Sequence, residues 1–148
     1  MVFEKGSSLV KDDGIIARKP DYLFVGDSSL HGRGVFTSVP IRRGGIIEMA
    51  PLIVLSENDS ALIKESSLYT YYFLHGKNAE ICVLGLGYAS LYNHQYPANA
   101  KYRFLLSKNL MEFSAFRDIQ AGEEITINYN GKPNDPSPVE FGQLNDRT

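Results

Sequence analysis

Three short stretches of this chain carry residues at spacings that could do chemistry. Residues 31–36, "HGRGVF", set Gly32 and Gly34 one residue apart just ahead of an apolar run, so that backbone can approach a ligand with no Cβ in the way. A tight turn uses the same spacing, and the dinucleotide-binding alternative fails because the chain runs on into "VFTSV" and Pro40 instead of a helix. Residues 90–100, "SLYNHQYPANA", put Asn93 beside His94, an amide that donates and accepts next to an imidazole. That pair can read an adenine edge or a carboxylate; equally it can be two satisfied polar residues in a turn. Tyr129 closes "GEEITINY" where a strand gives way to Asn130-Gly131, placing its phenol either at a site or as a half-buried aromatic with a wet hydroxyl.

Other chemistries find less support. No Gly-x-Ser-x-Gly elbow is present, and Cys82 lies in an apolar run that should raise its thiol pKa and blunt it as a nucleophile. Glu123 and Glu124 are adjacent, so a strand points them to opposite faces and they cannot pair as acid and base. Histidines stand at 31, 75 and 94 with no cysteine or acid at ligand spacing, and Cys82 is the sole cysteine, so no metal is expected.

Composition bounds the rest. With 148 residues, 43% of them apolar, the chain has room for one domain with one sizeable core. No apolar run approaches the roughly 20 residues that cross a bilayer, and "MVFEKGSSLVKDDG" lacks the hydrophobic stretch of a secretory signal. The expectation is a cytosolic or otherwise intracellular protein with no membrane partner. A net charge of −2 without a basic stripe argues against direct nucleic-acid binding.

The elements that must position these residues read as mostly β. Residues 1–20 look like an N-terminal extension ordered only in part, and residues 21–148 like a single domain with a short tail. "YLFV", "GVFTSV" and "GGIIEMAPLIVL" are short valine-, isoleucine- and phenylalanine-rich runs broken by turn residues, hence strands. Asp59 is a plausible N-cap for a short helical segment, followed by a strand in the β-favouring cluster of residues 69–73. "AEICVLGLG" predicts another strand, and residues 87–93 a turn or two of helix. Tyr102, Phe104 and Leu106 alternate, Ser107-Lys108-Asn109 turns, and Met111, Phe113 and Ala115 alternate back, which predicts a hairpin. The final strand is expected from about Glu124 to Tyr129.

Taken in order, Gly-x-Gly-Val-Phe, then Tyr-Asn-His, then "FRDIQAGEEITINY", with "IRRGGIIEMAP" between the first two, resemble one family: the SET-domain protein lysine methyltransferases. The likeness runs over residues 30–131 and is nearest to the short free-standing bacterial and viral members. It implies a β-clip fold of several small curved sheets with short helical turns and a pseudoknot-like threading of the C-terminal part. It further implies S-adenosylmethionine as cofactor, no metal, and a lysine in a protein substrate, such as a histone, as methyl acceptor. Carried onto this chain, Gly32, Arg33 and Gly34 would wrap the methionine part of the cofactor through their backbone. Asn93 and His94 would hold its amino-acid end and adenine, with Tyr92 packed beneath. Tyr129 would be the catalytic residue where cofactor and lysine channels meet. Tyr72, chosen from Tyr69, Tyr71 and Tyr72 without a fixed register, would line the lysine channel together with Tyr88 and Phe141; core packing is the alternative for each.

Departures from the family pattern accompany the likeness. Gln95 replaces the usual Ser or Cys after Asn-His, and Pro97-Ala98-Asn99-Ala100 replaces Asn-Pro-Asn-Ala, so the local loop should be reshaped. The family's cysteine-rich zinc module has no counterpart, leaving the tail with Pro136, Pro138 and Phe141, or a second subunit of a homodimer, to close the lysine channel. A silent SET-like module that binds a peptide or protein partner is the alternative to an enzyme, and a purely structural β-domain a third reading.

Overall fold

The computed structural model describes residues 17–139. Residues 1–16 of the predicted extension, and the predicted channel residue Phe141, lie outside the described residues. Two small sheets share one core. In the first, β1 (Leu23–Asp27) and β2 (Arg33–Thr37) form an antiparallel hairpin, β9 (Glu124–Ile127) adds antiparallel to β2, and the two-residue β6 (Asn93–His94) adds parallel to β9. The second has the order β4 (Tyr72–His75), β5 (Ile81–Gly85), β3 (Ile46–Val54), β8 (Leu110–Ala115) and β7 (Ala100–Leu105), antiparallel throughout.

The strands sit where β-branched and aromatic runs predict them, because alternate side chains find a common interior. Val35, Ile47, Val83, Met111, Phe113, Ile119, Ile125 and Ile127 are fully buried, and each large apolar side chain removed from water contributes about 1.5–3 kcal/mol. The predicted β7–β8 hairpin forms, pairing Tyr102 with Phe113 and Phe104 with Met111, and Asn109 supplies the left-handed residue of its turn. Cys82 is buried in β5 and burial pushes its thiol pKa up, as its apolar run predicts. Among the described residues no helix is long and apolar enough to cross a membrane.

Three boundaries differ from the sequence reading. The α-helix found among the described residues, α1 (Glu57–Lys64), is capped by Ser56, whose Oγ accepts from the Asp59 amide at 3.1 Å; Asp59 sits three residues inside, with its carboxylate 2.7 Å from the same hydroxyl. Ser and Asp suit both ends of such a cap, and the serine came first. After α1 the chain turns rather than extends, with Tyr69 and Tyr71 amides donating to the Ser66 and Leu68 carbonyls, so the strand begins only at Tyr72. The last strand stops at Ile127 instead of Tyr129. There the Asn128 side chain takes over, accepting from the Asn130 amide and donating to the Asp135 carbonyl, and the chain bends away carrying Tyr129 out of the sheet.

The two sheets are interlocked through the segment after β6. Gln95 N–H donates to the Ile127 carbonyl, and Ala98 N–H donates to the carbonyl of Pro133, beyond β9. Asn99, 1% exposed, accepts from Thr126 N–H at 2.8 Å and donates to the Glu124 carbonyl at 2.7 Å. The chain leaving β9 is therefore stitched across the chain leaving β6, the threaded arrangement expected of the fold.

Candidate active site

The first wall of the site is the turn between β1 and β2. Ser28 N–H donates to the Gly32 carbonyl at 2.9 Å, and Gly32 takes a left-handed φ of 48° with open space where a Cβ would stand. Asn93, at the start of β6, reaches across to this turn. Its side-chain nitrogen lies 3.0 Å from the His31 carbonyl, 3.0 Å from the Arg33 carbonyl and 2.8 Å from Glu124 Oε1. Ser28 Oγ, 2.9 and 2.8 Å from the two Glu124 oxygens, donates to the same carboxylate. Gly34 has its own reason to be glycine, since a Cβ there would overlap the Glu124 carboxylate. Sequence reasoning assigned that glycine to ligand approach and gave Glu124 no part. The available signal was the Glu123-Glu124 alternation: Glu123 faces Arg117 and Asn99, while Glu124 faces the turn.

The second wall is His94 and Tyr129. His94 Nδ1 accepts from the Tyr129 amide at 3.1 Å, which leaves the neutral ring's proton on Nε2, and the two rings lie 5.3 Å apart. Burial holds the imidazole pKa below its ordinary value, so the ring is neutral at physiological pH. The Tyr129 hydroxyl donates to the Tyr92 carbonyl at 3.0 Å, and burial pushes its pKa up to about 12. Tyr129 is thus a neutral phenol at working pH, suited to orient a group and not to take its proton.

Two clefts open on these walls. One, of about 190 Å³, is lined by His31, Gly32, Arg33, Thr70, Tyr71, Ser90, Leu91, Asn93 and Tyr129. The other, of about 270 Å³, is lined by Tyr69, Tyr71, Tyr72, Phe73, Leu74, Ser90, Tyr92, Tyr102, Tyr129 and Val139. Tyr71, Ser90 and Tyr129 belong to both, so the clefts adjoin at these three residues. The Ser90 hydroxyl pins this junction, lying 2.7 Å from the Tyr71 carbonyl and 2.9 Å from that of Gly85. The tail lines the aromatic cleft at Val139, and the bond from Asn130 Nδ2 to the Ser137 carbonyl ties it back to the loop after β9.

The predicted residues therefore divide. Gly32, Arg33, Asn93 and Tyr129 come together at the smaller cleft, Gly34 stands behind the turn, and His94 reaches the site through Tyr129. Tyr72 lines the aromatic cleft, and so do Tyr69 and Tyr71; the turn before β4 lets all three face it. Tyr92 is 1% exposed, with its hydroxyl donating to Glu48 at 2.7 Å, so its side chain lies in the core while its carbonyl accepts from Tyr129. Tyr88 is not among the residues lining either of these two clefts. Its amide donates to Glu48 Oε1 and its ring lies under the Lys19 ammonium, 4.5 Å from the centroid, on the far side of Glu48. Tyr102 was missed because its alternation marked it as core; its hydroxyl reaches the cleft 3.5 Å from the Tyr129 carbonyl, and burial pushes its pKa up to about 12.

A mostly-β domain of small interlocked sheets is the architecture of a SET domain. Residues 32–130 match the model of that family, described as "SET domain". The chain belongs to the SET-domain family, a class of protein-lysine N-methyltransferases. It is 29% identical over 117 residues, 77% of this chain and 76% of the relative, to a histone-lysine N-methyltransferase of Schizosaccharomyces pombe specific for H3 lysine 37. A crystal structure of a Plasmodium falciparum protein assigned as a histone methyltransferase is 33% identical, with a TM-score of 0.57 over 76% of this chain and 94% of that one. The fold is also that of a part of ctPRC2 solved bound to S-adenosylmethionine, at 23% identity and a TM-score of 0.62 over 76% of this chain and 16% of that one.

Proposed function

We propose that this protein transfers a methyl group from S-adenosylmethionine to the side-chain amine of a lysine in a protein substrate, with histones the first substrates to try. The observation that carries this reading is the sharing of Tyr129 between a polar cleft and an aromatic one. The smaller cleft is the one assigned to the donor. Left-handed Gly32, with open space where a Cβ would stand, lines it together with Arg33 and Asn93, while Gly34 stands behind the turn and His94 is joined to it through Tyr129. When bound, the donor supplies an electrophilic methyl on a sulfonium.

The chain's own residues do the remaining work. Tyrosine faces in the larger cleft accept the lysine cation on entry. Its dry aromatic wall then penalises the ammonium and lowers the lysine pKa, so that a neutral amine reaches the junction. Tyr129, neutral and tethered to the Tyr92 carbonyl, holds that amine in line for displacement, where alignment accounts for much of the rate. Val139 adds an apolar side chain to the wall of the aromatic cleft.

A methyl-transfer assay with labelled donor on histones and on whole lysate, read by mass spectrometry for the modified residue, tests this. Label on a lysine side chain is the expected result. Label absent from all substrates, together with no heat of donor binding in calorimetry, would leave the silent peptide-binding module as the better reading.

A further inference from the structure

Among the described residues, a buried acid stands apart from the proposed chemistry. Glu48, in the middle of β3, is 1% exposed. Its two oxygens are both engaged: Oε1 accepts from the Tyr88 amide at 2.9 Å and Oε2 from the Tyr92 hydroxyl at 2.7 Å. A carboxylate is costly to desolvate, and burial raises the Glu48 pKa, offset in part by these two bonds and by Lys19. An apolar residue in its place would avoid that cost, so its presence calls for a task that a hydrocarbon cannot perform.

The task is visible one residue further along. Tyr92 packs its ring on Phe113, with centroids 4.6 Å apart, so its carboxylate partner fixes the remaining freedom of that ring. Burial, and next the charge of Glu48, hold the Tyr92 phenol well above its usual pKa, so it stays a donor. At the other end of the same residue, the Tyr92 carbonyl accepts from the Tyr129 hydroxyl at 3.0 Å. A continuous column thus runs from Glu48 through Tyr92 to Tyr129. The neighbouring clamp is held separately: Asn93 has its own contacts with His31, Arg33 and Glu124.

We propose that Glu48 is a positioning residue for Tyr129, acting through Tyr92: the buried carboxylate sets the Tyr92 ring, and so the carbonyl on which the Tyr129 phenol rests. This rests on the methyl-transfer reading for its consequence in turnover, but not for its geometry. Small displacements of a positioning group cost turnover by tenfold or more. Donor affinity, set at the independently anchored Asn93, should be spared.

Tyr92→Phe removes one oxygen and keeps the ring; Glu48→Gln keeps the shape but can satisfy only one of the two donors. Both are compared with the unaltered chain and with Tyr129→Phe. In protein labelled at the tyrosine Cζ carbon, the Tyr129 resonance is identified by its loss in Tyr129→Phe, and it should shift in both column variants. In the transfer assay kcat should fall about tenfold, with KM for the donor within about twofold. In a Tyr129→Phe background, Tyr92→Phe should then add no further loss. A core residue without this role would lower the melting temperature and leave the Tyr129 resonance and kcat in place; that result overturns the proposal, as does failure of both variants to fold. An unaltered chain without transferase activity would instead sink the functional reading, and the resonance would still decide the column.

Discussion

Asn93 Nδ2 lies 2.8 Å from Glu124 Oε1, joining the start of β6 to the start of β9 across the turn that carries Gly32 and Gly34. This contact makes the glycine turn, the Asn-His pair and the Gly-Glu-Glu strand one structure, although Arg33 of the turn and Asn93 are 60 residues apart. Its consequences can be measured.

Gly34 is glycine because of Glu124, so their substitutions should not be additive. Gly34→Ala is expected to destabilise by about 1–3 kcal/mol by overpacking against the carboxylate. In a Glu124→Ala background the same change should cost at least about 1 kcal/mol less. Denaturant melts of the four proteins give the coupling, and additivity would show that some other neighbour excludes the side chain.

Removing the Tyr129 hydroxyl should separate activity from stability. Tyr129→Phe loses one partly buried hydrogen bond to the Tyr92 carbonyl, which costs about 1 kcal/mol. Turnover should fall at least about tenfold, because the group at the junction of the clefts no longer orients the amine. Turnover equal to that of the unaltered chain, with labelled lysine still produced, would remove Tyr129 from the mechanism.

His94 predicts the direction of a pH effect. Its folded pKa is lowered by burial, so the unfolded chain binds the proton more readily. Its share of stability is therefore present in full above the ordinary value of 6.5 and is lost as pH falls through the lower folded value. Protonation at Nδ1 would also abolish its bond from the Tyr129 amide. Melts at about pH 7.5 and pH 5.5 should show a larger loss for the unaltered chain than for His94→Asn; equal losses would mean that other groups govern the acid limb.

Asn99 should be among the most costly polar positions. Its side chain satisfies the Thr126 amide and the Glu124 carbonyl inside the interlocked region. Asn99→Ala leaves both buried without a partner, an expected loss of about 2–4 kcal/mol. A change below about 0.5 kcal/mol in a chemical melt would show that the loops are held together elsewhere.

The fold class, most strands and the three chemically equipped stretches were legible because they depend on local rules. Period-two alternation in residues 110–115, Gly-x-Gly before a strand and Asn beside His are all visible within a few residues. What failed was also local in origin. Ser56 and Asp59 compete for one cap, and Tyr88 and Tyr102 carry the same aromatic signal though one faces Lys19 and the other a cleft.

By itself the amino-acid order determined which side chains are available: a neutral phenol, an amide beside an imidazole, glycines without Cβ, and enough β-branched residues to bury them on sheets. Only the tertiary structure decided their relations. That Glu124 excludes a Cβ at Gly34, that Glu48 bears on Tyr92, and that two clefts share the Tyr129 ring all depend on contacts between segments 31 to 96 residues apart. Such contacts form when chain closure is repaid by burial, and no short window of sequence records which distant partner will be there.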